Sequence, residues 1–147
     1  MLDSWKGIVF MELESAAQVI DITLVSGYHA HVYFEPHTRI VAERLREQLS
    51  EFDVVLGRWK DGPVGPHTRA MYQVAFAPDQ FDPVVPWLMV NRDGLDVLVH
   101  AETGLGHAGD HTTRALWLGQ ALPVKVAYLQ QIDRDYDMPE AVPLAEQ

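Results

Sequence analysis

The stretch Tyr28-His29-Ala30-His31-Val32-Tyr33-Phe34 constrains the fold more than any other part of this 147-residue chain. Its aromatic and β-branched content and its alternation specify a strand whose two faces differ chemically. Ala30, Val32 and Phe34 lie on one face, and His29, His31 and Tyr33 on the other. Such a strand needs an apolar layer against its first face and sets two imidazoles side by side on its second.

The flanking sequence supplies that layer. Pro36 stops the strand, and Thr38 can cap a helix to about Glu51, with Val41, Leu45, Leu49 and Phe52 as its apolar stripe. Val54 to Trp59 is a second strand, residues 61–66 a loop of strong turn formers, and Thr68 to Phe76 a third strand. Asp79 or Asp82 caps a second helix with Trp87, Leu88 and Met89 on its buried face and Gly94 at its stop. Leu95 to His100 is a fourth strand. The order is βαββαβ, an α+β architecture of the ferredoxin-like type, with two helices on one face of an antiparallel sheet. A C-terminal extension follows, with a short element at Ala115 to Leu118 and an alternating stretch, Val124 to Leu129, that suits a fifth strand. We divide the chain into an N-terminal extension (1–27), the domain (28–132) and a loose acidic tail (133–147). With both helices on one side the other sheet face is open, and a second copy of the chain is expected to bury it in a homodimer.

Composition narrows the function. The net charge is −10, from 11 basic and 21 acidic residues, which disfavours a phosphate backbone as partner. No apolar run reaches the roughly 20 residues of a membrane span, and the acidic N-terminus does not suit a secretory signal, so a cytoplasmic location is expected. The absence of cysteine excludes thiolate nucleophiles and Cys-type metal sites. Most of the net charge is terminal: residues 1–27 carry one cation and four anions, and 133–147 one and five. The middle segment has nine cations, twelve anions and all seven histidines.

In the antiparallel arrangement the start of the first strand lies beside the end of the fourth. That places His100 on the open face with His29 and His31, where three neutral imidazoles suit a divalent metal. From spacing alone His67 is a turn residue at the opposite end of the sheet. His111 follows Asp110, which can orient it as an outer-shell carboxylate does. His37 and His107 read as solvated. Arg58, Lys60 and Arg69 can grip a substrate carboxylate, with Tyr33 further along the histidine face. Glu35 lies at the wrong end of its strand to complete a two-histidine, one-carboxylate triad.

Several strings occur in a telling order: Tyr28 to Phe34; Gly57-Arg58-Trp59-Lys60 with Gly65-Pro66-His67; Met71 to Phe76; Pro86-Trp87-Leu88-Met89; Leu98-Val99-His100; and Asp110-His111 with Leu116-Trp117-Leu118-Gly119. Together they resemble the DOPA 4,5-dioxygenase-like family of small ferredoxin-fold proteins. The resemblance implies a non-haem extradiol dioxygenase in which iron(II), or zinc or another divalent metal as isolated, works with O2 on a catechol such as DOPA. It also matches His29, His31, His67, His100 and His111 to the family's recurring histidines. On that basis His31, His100 and His29 are the expected metal ligands, and His111, His67 and Asp110 the catalytic group. The competing reading is a non-catalytic dimeric module that binds a small aromatic acid or a metal. It predicts histidines that do not converge.

Overall fold

The structure is a computed structural model that describes residues 19–136. Most of the expected N-terminal extension and acidic tail lies outside the described residues. The alternating stretch forms β1 (Gly27–Tyr33), followed by α1 (Arg39–Leu49), β2 (Val55–Leu56), β3 (Met71–Phe76), α2 (Phe81–Asn91) and β4 (Val97–Glu102). The sheet order is β2-β3-β1-β4-β5, antiparallel throughout, with β5 (Ala115–Leu118) beyond β4. The first four strands are thus arranged as the βαββαβ pattern requires, and β5 widens the sheet at one edge.

The two-faced strand behaves as its alternation demands. Ala30, Val32 and Phe34 join Val74, Val97 and Val99 beneath Ala42, Leu45 and Leu49 of α1 and Val84, Val85 and Leu88 of α2. Burying a side chain of this kind contributes on the order of 1.5–3 kcal/mol. Tyr72 is fully buried in this layer, and its hydroxyl donates to the Ala42 carbonyl at 3.0 Å. Met89, expected on the buried face of α2, is 56% exposed, because its neighbour Leu88 occupies the inward position.

The second sheet face departs from expectation. Tyr33, Met71, Leu98 and Leu122 form a separate apolar cluster against Val64, Ala115, Trp117 and Val124. The chain's own C-terminal segment and the loop after β2 therefore cover part of this face. The Val124 to Leu129 stretch is not a strand. It leads into a helix, α4 (Val126–Asp135), with Val126, Leu129, Ile132 and Asp133 turned inward at helical spacing. Among the described residues no helix is long and apolar enough to cross a membrane.

Candidate metal centre

The floor of the site is set by strand register. His29 sits opposite His100 across the β1–β4 pair, and His31 lies two residues along the same face. His100 is 1% exposed and His31 3%, and their Nε2 atoms stand 2.9 Å apart. The first three histidines singled out by spacing thus converge as expected.

His67 does not stay at the far end of the sheet. The loop between β2 and β3 turns back through Val64 and His67, helped by Gly65 at φ +54°, and bridges to Val124. The Lys125 N–H donates to the Pro66 carbonyl at 2.8 Å, and the Thr68 hydroxyl to the Pro123 carbonyl at 3.0 Å. This fold-back puts the His67 ring 4.2 Å from that of His31.

His111 arrives on a third element. The four-residue helix α3 (His107–Asp110) ends immediately before it, and its ring lies 3.9 Å from that of His100. Asp110 does not orient it. This carboxylate, 2% exposed, accepts from the Thr103 N–H (3.0 Å), the Thr103 hydroxyl (2.7 Å) and Arg114 Nε (2.7 Å). His111 Nδ1 instead meets the His107 carbonyl at 2.8 Å. Asp110 shapes the loop that carries His111, a positioning role one step removed from the ring.

Two carboxylates escaped the sequence reading. Asp133, assigned there to the acidic tail, caps α3 from α4 by accepting the N–H groups of His107 (2.7 Å) and Ala108 (3.0 Å). Glu102 lies two residues beyond His100 on β4 and so shares its face. Its Oε1 is 3.2 Å from His29 Nδ1 and 3.5 Å from His100 Nδ1. The signal for Glu102 was the His-Ala-Glu spacing, the same i, i+2 rule that paired His29 with His31.

The remaining sequence candidates lie elsewhere. Arg58 and Lys60 are exposed at the β2 edge, and Arg69 pairs with Glu35 at 3.2 Å beside a separate cleft. None of the three lines the histidine cavity, whose volume is about 270 Å3. Tyr33 contributes indirectly, its hydroxyl 2.6 Å from His67 Nδ1. His37 stays exposed, whereas His107, expected to be solvated, lines the cavity.

The arrangement fits a divalent metal. In four of the five converging rings Nδ1 faces an oxygen: Glu102 for His29, Tyr33 for His67, the Ala101 carbonyl (3.1 Å) for His100 and the His107 carbonyl for His111. Holding Nδ1 in this way leaves Nε2 as the ligating atom. The fifth ring, His31, has a buried Nδ1 with no hydrogen-bond partner. Two overlapping sets, His29/His31/His100 and His31/His67/His111, each bring three ligand atoms within 4.8 Å of one another.

Burial keeps these rings neutral, as ligation requires. Desolvation, reinforced by neighbouring histidines, lowers His29 and His67 to pKa values of about 4 and His100 to about 3, and takes His31 well below its usual range. Burial lowers His111 too. A histidine depressed in the folded state favours folding above its unfolded pKa, near 6.5, and loses that contribution as pH falls toward the folded value. The metal-free protein should therefore show a falling urea midpoint from pH 7 to pH 5. A midpoint that holds or rises across that range contradicts a neutral buried cluster.

Comparison with known proteins identifies relatives of the chain. A model of the Dopa 4,5-dioxygenase family matches residues 28–128. A 21.2 kDa protein of Botryotinia fuckeliana is 31% identical over 90% of this chain and 79% of its own. The DOPA 4,5-dioxygenase of Amanita muscaria is 29% identical over 79% of this chain, which spans only 55% of that enzyme's length. A crystal structure from Nostoc punctiforme, described as a candidate dioxygenase, is 55% identical with a TM-score of 0.76, over 78% of this chain and 99% of that one. All five converging histidines fall within the matched segment, and the chain belongs to the Dopa 4,5-dioxygenase family.

Proposed function

We propose that this protein is an iron(II)-dependent extradiol dioxygenase that opens a catechol ring beside its two hydroxyls. The observation that carries the reading is the convergence of five histidines from four segments of the chain, with Nδ1 held in four of them. The non-catalytic module, whose histidines have no reason to converge, is the weaker alternative. His29, His31 and His100 would hold the metal, which when bound supplies a site for both catechol oxygens and for O2 and passes electrons between them.

His67 and His111 then remain beside the substrate. As neutral bases they can accept the second phenolic proton and return it to the opened product. Tyr33 occupies His67 Nδ1, so Nε2 is the nitrogen that faces the substrate. Pro66, Leu129 and Ile132 give the cavity an apolar side for a ring to lie against. The Tyr33→Phe protein should keep its metal while kcat falls roughly 10–100-fold, the usual cost of losing an outer-shell partner. An unchanged kcat and pH profile would remove Tyr33 from the proton path.

The direct test is anaerobic reconstitution with iron(II), followed by a catechol and measured O2. We expect stoichiometric O2 uptake and a yellow ring-opened product. Iron-loaded protein that consumes no O2 with any catechol defeats the proposal.

A further inference from the structure

The cavity has a floor of histidines carried by the sheet and a wall supplied largely by α4, and the surface beside the floor decides which ring substituents fit. Strand register shows what that surface is, because residues directly opposite one another share a face. On the β4 side His31 is flanked by Leu98, which is fully buried against Leu122 and Trp117. On the β3 side it is flanked by Gln73, which lines the cavity, while Ala75 flanks His29. Beyond Gln73 the same row reaches Gly57 at the end of β2. A Cβ added to Gly57 would stand 3.3 Å from the Gln73 Cβ, so glycine there leaves the space beside the amide open. A shelf of small side chains thus runs from the histidines toward β2, with one half-buried carboxamide on it. The Gln73 backbone carbonyl accepts the Gly57 N–H at 2.8 Å, whereas among the described residues no hydrogen bond engages its side chain.

We infer that Gln73 reads the ring substituent of the substrate: a short alkyl chain lies along the Ala75–Gly57 shelf and ends in an uncharged hydroxyl or carbonyl oxygen that hydrogen-bonds the carboxamide. This rests on the dioxygenase reading and adds a substituent subsite to it. A carboxamide both donates and accepts, so it satisfies an alcohol or a carbonyl without a counter-charge. A purely alkyl substituent of the same length covers the amide and leaves its polar atoms unpaired. Discrimination comes from that stranded group more than from the bond itself.

The test is calorimetric titration of the anaerobic, iron-loaded full chain with three probes that differ only in substituent: catechol, 4-ethylcatechol and 4-(2-hydroxyethyl)catechol. The hydroxyethyl probe should bind about fivefold more tightly than the ethyl probe, the effect of one net neutral hydrogen bond. In Gln73→Met, which keeps the chain length and removes the amide, that ratio should fall to about one. Gly57→Ala, whose methyl crowds the Gln73 Cβ, should weaken both substituted probes relative to catechol itself. An ethyl probe that binds as tightly as the hydroxyethyl probe overturns the inference. So does a Gln73→Met protein that keeps the wild-type ratio, the signature of a purely structural role. A ratio lost in Tyr128→Phe but kept in Gln73→Met also overturns it, by moving the role to the wall. Should Gln73→Met fail to fold, the wild-type ratio and Gly57→Ala still decide. O2 uptake after air is admitted separates the two claims: uptake with no preference between ethyl and hydroxyethyl defeats only this inference. The expected ratio without uptake from any probe defeats only the dioxygenase reading, and no binding by any probe defeats both.

Discussion

The His31→Ala protein is expected to retain no iron after anaerobic loading and desalting, while keeping the wild-type far-ultraviolet circular dichroism. His31 is the residue common to both histidine sets, so its loss leaves neither with three ligand atoms. It projects from the central strand, 3% exposed, away from the helix-facing layer that supplies most of the apolar core. The substitution therefore strikes the site and spares the packing that holds the sheet. The fall in metal affinity should exceed the roughly 10–100-fold typical of an outer-shell change. His37→Ala, at an exposed position, is the matched control and should bind iron normally. Elemental analysis of both proteins settles the point, and wild-type iron content in His31→Ala removes that residue from the ligand set.

Asp110→Ala should be the most destabilising single change near the site, at about 3–5 kcal/mol. The carboxylate is almost fully buried and accepts three hydrogen bonds, one from a guanidinium. Removing it strands the Thr103 N–H and hydroxyl and leaves Arg114 with its charge uncompensated. Arg114 also holds the Gly106 carbonyl at 3.0 Å, so the damage reaches the start of α3 and through it His111. Urea unfolding of Asp110→Ala and Asp110→Asn measures the effect, and the amide should recover part of the loss. A cost below about 1 kcal/mol for the alanine protein shows that the network contributes less than its burial implies.

How far the sequence foretold the site follows from the range of the interactions that built it. The faces of β1 and the meeting of His29 with His100 were legible, because period-two alternation and antiparallel pairing leave little freedom once the strand order is known. His67 was misplaced on spacing because its position depends on a loop folding back to bridge Val124, a contact with no local pattern. Only the family resemblance recovered it. Asp110 and His111 are adjacent in sequence, which invited a pairing that the geometry of α3 does not allow. The carboxylate went to Arg114 one turn on, and the imidazole to a carbonyl one turn back.

Two further errors share one cause. Val124, Val126 and Tyr128 alternate, yet Val126, Leu129 and Ile132 also recur at helical spacing, and over six residues the two periods cannot be separated. Reading a strand there hid α4, and placing the tail boundary at Asp133 cut that helix and lost the residue that caps α3. A cap supplied from 26 positions away looks, in sequence, like any solvated acid.

The division between sheet-borne floor and appended wall bears on how such a protein can be redirected. The histidines of the floor are locked to β1 and β4, where a one-residue slip would exchange core and site together. Tyr128, Leu129 and Ile132 belong to α4, outside the βαββαβ unit, and answer to no strand register. Of the three, Tyr128 is 48% exposed and the most open to variation, whereas Leu129, 3% exposed, also packs α4 in place. A scaffold built this way can acquire new substrates by changing its lining alone, so that chemistry and selectivity are inherited separately.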